Sequence, residues 1–310
     1  MDIHALQSSK IVCDIPLEGV KNTLNTESTV ADERKNNKEF SSYTNQMKMV
    51  PTSVINEELS SETLGISLVR TQVGSLKKKL LVLDINGLLA DIVSPRPKDH
   101  KADATIAGRA IFKRPFYLEF LKFCFEKFEV GIWSSRTKKN VQRVIDYLMG
   151  DMKNKLLFCW DLSHCTETSF RTLENKHKPL VFKDLRKLWE KHDPDLPWEK
   201  GYYNELNTLL LDDSPYKALL NPPNTSVFPH SFTYQNKSDN SLAAGGDLRE
   251  YLHRLANAED MPKYIEEHPF GQDGITEKSE SWNFYLQFEN SWMKCMLSQA
   301  VTSLMARKLG

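Results

Sequence analysis

An apolar run that ends on a carboxylate sets the tightest limit on what this chain can fold into. Residues 79–83 read Lys-Leu-Leu-Val-Leu, Asp84 follows, and the Asn86-Gly87 pair then breaks the run. Consecutive apolar residues without polar alternation describe a strand covered on both faces, as parallel strands between helices are. In open sheets of that kind, ligands gather outside the carboxyl ends of the strands. Asp84 is therefore expected at the mouth of a site and facing positive charge, because an unpaired buried carboxylate is costly.

The same signature recurs twice. Glu129-Val130-Gly131-Ile132-Trp133 ends on Ser134-Ser135-Arg136, and Asn207-Thr208-Leu209-Leu210-Leu211 ends on Asp212-Asp213. A further short strand is expected over 156–160, and Ser226-Val227-Phe228 reads as an edge strand. Helical spacing falls between them. Arg114-Pro115 is expected to open a helix with Phe116, Leu118, Phe120, Leu121 and Phe125 on its buried side. Val141, Val144, Ile145, Leu148 and Met149 lie on one face, and Gly150 stops that helix. Phe182-Lys183-Asp184-Leu185 is read as the start of another helix, and Ser214-Pro215 as the start of a fourth. Leu248, Tyr251, Leu252 and Leu255 follow Gly245-Gly246 on a last one. Alternating strands and helices predict an α/β fold with a doubly wound, mainly parallel sheet. A small β-hairpin over 104–111 is its one insertion beside the site, with no large cap.

Residues 76–268 hold this domain. Residues 1–75 are polar and poor in aromatics over most of their length, and are expected to form a disordered arm. Residues 269–310 form an extension with Trp282, Phe284, Tyr285, Phe288, Trp292 and Met293, either packed on the domain or presented to a partner. Lysine plus arginine equals aspartate plus glutamate, 41 each, so charge gives no reason to expect direct nucleic-acid binding. No run is long and apolar enough to predict a transmembrane segment. Five irregularly spaced cysteines read as reduced thiols of an intracellular protein. Cys159, His164, Cys165 and His177 lack the short paired spacing of structural zinc sites and are expected in core and loops. Met1-Asp2-Ile3-His4-Ala5 lacks the features of a secretory signal, and Asp2, Asp14 and Glu18 depart from an acid-poor mitochondrial presequence.

Three strand ends that carry Asp84, Ser134 and Asp212-Asp213 converge on one crevice in such a sheet. Carboxylates gathered there suit a hard divalent cation, with Mg first because it takes one or two carboxylates plus phosphate oxygens. Ser134 is read either as a helix cap or as a phosphate-binding hydroxyl, and the Lys183 ammonium suits phosphate oxygens. Asp84 would then attack phosphorus and form an aspartyl-phosphate.

The order of motifs 83–89, 113–115 with 119–121, 133–136, 183–185 and 211–215 resembles the haloacid dehalogenase superfamily. Within it, the chain is similar to the RNA polymerase II C-terminal-domain phosphatases, the NLI-interacting-factor type, a family that also includes the mitochondrial import subunit Tim fifty. The resemblance implies that Asp84 is nucleophile and metal ligand, and that Asn86 stands where the family has its acid/base aspartate. By the same resemblance, the backbone carbonyl of Asn86 is expected to bind Mg. The resemblance further implies that Ser134, with Ser135, grips the phosphoryl group, that Lys183 neutralises it, that Asp213 is the outer metal ligand, and that Asp212 supports the lysine and the metal shell. The family's opening pattern is aspartate-x-aspartate-x-threonine, and this chain has Asn86 and Leu88. An amide cannot donate a proton to a leaving alkoxide. Three functions follow: a Mg-dependent serine/threonine phosphoprotein phosphatase of impaired activity, a binding module for a phosphorylated protein or peptide, or a Tim fifty-like import receptor. The first two imply a nuclear or cytoplasmic protein and the third a mitochondrial one.

Overall fold

The computed structural model describes residues 78–288, which lie within one compact unit. The arm expected over 1–75, together with Trp292 and Met293, lies outside the described residues. In chain order the described strands are β1 (Leu80–Leu83), β2 (Ala90–Val93), β3 (Ala104–Ile106), β4 (Arg109–Lys113), β5 (Glu129–Trp133), β6 (Cys159–Trp160), β7 (Thr166–Arg171), β8 (Pro179–Phe182), β9 (Thr208–Leu211) and β10 (Ser226–Val227). The labelled α-helices are α1 (Tyr117–Lys127), α2 (Lys138–Met149), α3 (Arg186–Trp189), α4 (Asp247–Asn257) and α5 (Met261–Glu267). Residues 282–288 are also helical.

Five strands form the central sheet in the order β10-β9-β1-β5-β6, and every pairing in it is parallel. Side chains alternate faces along a strand, so each apolar run serves two cores. Leu81 and Leu83 join Val130, Ile132, Leu209 and Leu211 in one cluster, which α1, α2 and α4 cover. Leu80 and Val82 join Trp133, Trp160 and Leu210 in a second, covered by α3 with Leu196 and Trp198. Layers on both faces of a mainly parallel sheet are the α/β architecture expected from the sequence. The hairpin at 104–111 is present, and β2 extends it to a three-stranded antiparallel sheet in the order β2-β4-β3.

Four local expectations are corrected. The helix after Arg114-Pro115 starts at Tyr117, because Phe116 adopts φ 62° and its left-handed conformation cannot continue from the proline. Phe182 ends a strand rather than starting a helix; Leu180, Val181 and Phe182 pair antiparallel with β7, whose half-buried alternation the sequence reading missed. The strand at 156–160 shrinks to Cys159–Trp160, because a 3-10 turn over Gly150–Lys155 occupies the approach. Pro215–Ala218 is a 3-10 turn instead of an α-helix.

Candidate functional site

Strands β9, β1 and β5 are neighbours, with Leu83 in register with both Leu211 and Ile132. β1 and β9 end level and β5 runs one residue further, so Asp84 and Asp212 emerge side by side with Ser134 one step beyond. The ladder runs one residue past each strand: Asp84 N donates to Leu211 O at 3.0 Å, Ser134 N to Trp160 O at 3.0 Å and Asp212 N to Val227 O at 3.3 Å. These bonds fix the backbone of the rim. Lys183 arrives from the end of β8, its own N–H bonded to Lys217 O at 2.7 Å.

At the rim, two lysines and two aspartates close a ring. Lys183 Nζ donates to Asp84 Oδ1 at 2.9 Å and to Asp212 Oδ2 at 2.5 Å. Lys217 Nζ donates to the other oxygens, Asp84 Oδ2 at 3.0 Å and Asp212 Oδ1 at 2.8 Å. All four side chains are buried, none more than 3% exposed. Burial alone would raise the Asp84 pKa, but Lys183 and Lys217 hold its carboxyl well below the usual range. Burial likewise works against charge on Lys217, and Asp212, Asp84 and Asp213 hold its ammonium protonated well above the usual lysine range. Asp213 differs. Burial raises its pKa, the Lys217 charge offsets only part of that, and Asp212 and Asp84 raise it further. Its Oδ1 lies 3.8 Å from Lys217 Nζ and accepts from Ser214 Oγ at 3.0 Å.

The other expected site residues lie in the segments that follow β1 and β5. Asn86 is half-buried, and its Oδ1 accepts from Ile92 N at 2.9 Å and Arg136 Nη2 at 3.5 Å. Those bonds tie the side-chain carbonyl to β2. Ser134 is buried and does not cap a helix; the cap position of α2 is Thr137, three residues on. Ser135 beside it is half-buried. Leu88 is fully buried in the apolar core.

Gly87 has φ 76°, and a Cβ there would overlap Asp213 Oδ2 and Ser231 Oγ. The turn after β1 therefore passes against the Asp213 carboxylate only because it lacks a side chain. Gly87→Ala is expected to cost about 1–3 kcal/mol in chemical denaturation through the strained φ and the overlap together. An unchanged midpoint would mean that the turn and Asp213 are not in contact.

Lys217 is the site residue that the sequence reading missed. Its signal was a lysine enclosed by Tyr216, Ala218, Leu219 and Leu220 immediately after the two aspartates, where a solvated lysine would have polar neighbours. Two supports were also missed. Gln272 Nε2 donates to Asp213 O at 2.8 Å and Pro229 O at 2.9 Å, so residues past 268 help to hold the rim. Arg114 makes a bidentate pair with Asp239 at 2.9 Å for each bond, which anchors the loop that follows β10. Tyr285 and Phe288 are buried with Leu180, Phe182, Tyr216 and Leu220, so this part of the extension packs on the domain.

Asp84, Asp212 and Asp213 each offer an oxygen within 4.8 Å of the others, the one such group among the described residues. Three carboxylates are the donor set of a hard divalent cation, so the cluster can hold a metal. The Lys217 ammonium already stands against the same three residues. Among the described residues no helix is long and apolar enough to cross a membrane.

An uncharacterized FCP1 homology domain-containing protein of Schizosaccharomyces pombe is 28% identical over 200 residues, 62% of this chain and 78% of its own. The ubiquitin-like domain-containing CTD phosphatases 1 of Danio rerio and Xenopus tropicalis are 29% and 27% identical over 59% and 62% of this chain. The match spans about half of those two proteins, 52% and 54%. A solved structure of Fcp1, an essential RNA polymerase II CTD phosphatase, aligns over 60% of this chain and 56% of its own, with 15% identity and a TM-score of 0.32. The family model for NLI interacting factor-like phosphatases matches residues 79–262, from the strand that delivers Asp84 to the helix after α4. That span is more than half of the chain and contains every rim carboxylate and both lysines, so the chain belongs to the NLI interacting factor-like phosphatase family of the haloacid dehalogenase superfamily.

Proposed function

We propose that the rim is a phosphoryl-binding site of the phosphoprotein phosphatase type, with Asp84 as the attacking carboxylate and turnover held down by Asn86. One observation carries the reading: a fully buried carboxylate at a parallel strand end, held ionised by two lysines. Such a group has the charge and position of an oxygen nucleophile. In the proposed step an Asp84 oxygen bonds to phosphorus while the bond from phosphorus to the substrate oxygen breaks. Water then hydrolyses the aspartyl-phosphate. Lys183 offsets charge on the phosphoryl oxygens, and Ser134 with Ser135 supplies hydroxyl donors beside it. Mg, when bound, supplies further neutralisation, and Asp84, Asp213 with Asp212, and the Asn86 carbonyl would hold it.

The departing oxygen needs a proton. Asn86 can accept hydrogen bonds, as it does from Ile92 and Arg136, but its amide is no acid at neutral pH. Aryl phosphates leave as weakly basic phenolates and need that proton least. The expected result is phosphate release from an aryl phosphate with Mg, much slower release from a phosphoserine peptide, and background rates for Asp84→Asn on both. Unchanged activity in Asp84→Asn would remove the nucleophile from the proposal.

The names of the curated relatives, CTD phosphatases, support a phosphorylated protein segment as the ligand class. Asn86 favours a second reading, in which the domain binds such a segment with little turnover. Titration with a phosphopeptide and its unphosphorylated twin separates the two, since a binding module holds the first tightly and returns it intact. Both readings put the protein in the nucleus or cytoplasm. A mitochondrial signal from the tagged full chain would favour the Tim fifty-like role instead.

A further inference from the structure

We infer that the Lys217 ammonium is an internal competitor for the divalent cation, and that it keeps the carboxylate rim assembled when no cation is bound. The inference rests on the site just described as a cation and phosphoryl site, but its test reads cation binding without turnover.

Lys217 Nζ lies 3.0 Å from Asp84 Oδ2, 2.8 Å from Asp212 Oδ1 and 3.8 Å from Asp213 Oδ1. Those three residues are the group whose oxygens cluster within 4.8 Å. A magnesium ion binds oxygen at about 2.0–2.1 Å and repels an ammonium that shares its ligands. The two are therefore alternative occupants, and the cation gains its ligands only as Lys217 gives up its ion pairs. Lys183 is placed differently. It takes the opposite oxygens, Asp84 Oδ1 and Asp212 Oδ2, and reaches the ring from another strand.

The chain holds Lys217 in this position from its backbone. Lys217 N donates to Ser214 O at 3.0 Å, and Lys217 O accepts from Lys183 N at 2.7 Å. Its neighbours Tyr216 and Ala218 are buried. The main chain is pinned, so the four-carbon stem must swing for the ammonium to leave. With Lys217 in place, two ammoniums face three carboxylates and each oxygen of Asp84 carries a donor. A rim neutralised to that degree does not need a metal to stay folded.

Isothermal titration of MgCl₂ into the chelator-treated full chain tests this, together with thermal melting with and without Mg. The wild type is expected to bind Mg weakly, with a Tm unmoved by about 1 mM Mg. Lys217→Met is expected to bind at least about tenfold more tightly, and its Tm should rise on adding Mg, because the ion then fills the space of the ammonium. Lys217→Gln, neutral and of similar length, should behave alike. Equal or weaker Mg affinity in a folded variant overturns the inference. So does a wild-type Tm that climbs by about 5 °C or more in 1 mM Mg. A variant that folds only with Mg supports it. If neither variant folds in any condition, the wild-type melting result alone decides. Loss of phosphatase activity with these binding results intact would count against the proposed function and leave this inference standing.

Discussion

Lys183→Met is expected to lower the unfolding free energy by about 3–5 kcal/mol, read by urea denaturation at neutral pH with tryptophan fluorescence. Methionine keeps most of the stem volume, so the loss isolates the ammonium. Asp84 and Asp212 both lean on that group, at 2.9 and 2.5 Å, and neither is more than 3% exposed. Removing it leaves two buried carboxylates to share Lys217. A pair of surface charges would change stability by about 1 kcal/mol or less, so a small effect would mean that water reaches the ring.

The pH dependence of that loss has a definite sign. Asp84 has a folded pKa depressed below its unfolded value near 3.9. Its contribution is fully present above the unfolded value and disappears as pH falls through the folded one. The gap between wild type and Lys183→Met should therefore narrow below about pH 4. Lys183→Met combined with Asp212→Asn should be less destabilised than the two single changes added together, because the second removes a charge the first has orphaned. Strict additivity would show that the ring is not one unit.

Asn86→Asp is expected to raise turnover of a phosphoserine peptide by about 10²–10⁴-fold, the usual contribution of a general acid/base. The geometry favours the exchange. A carboxylate at position 86 can accept the same bonds from Ile92 N and Arg136 Nη2 that Asn86 Oδ1 accepts now. The gain on an aryl phosphate should be much smaller, since that leaving group departs without a proton. A variant with wild-type Tm and no gain on the peptide would show that the missing acid is not what limits the rate. The contact of Lys217 with Asp84 Oδ2, which restrains the proposed nucleophile, would then be the next restraint to remove.

Much of the fold was legible because its strands are buried on both faces. The runs that became β1, β5 and β9 have no alternation to misread, and each ends at a polar residue that stops the strand where the site begins. Helices α2 and α4 were equally plain, with apolar residues on one face and glycine at a boundary. The β7–β8 hairpin was not legible. Its alternation, Thr-Glu-Thr-Ser-Phe-Arg, is weakly apolar, and Lys183-Asp184-Leu185 after it looks like the first turn of a helix. Ser134 left two readings open for the same local reason, because a serine just ahead of a helix resembles a cap, and the structure gives that position to Thr137.

From its own order of residues, the chain determined that an acid at 84 and two at 212 and 213 would stand at the carboxyl ends of buried parallel strands, because unbroken apolar runs that end on carboxylates fit few other places in a sheet; only the folded sheet made those strands neighbours. The chain also placed an amide, Asn86, in the turn just past the strand that carries Asp84. The family resemblance paired Lys183 with Asp212, but no linear reading supplied Lys217 or the closing of the four charges into one ring. Lys217 meets Asp84 from 133 positions away in sequence, and Lys183 from 99, through contacts that exist only once the loops after β8 and β9 are packed. Charge pairing inside a protein depends on distance and exclusion of water, and both are properties of the folded molecule.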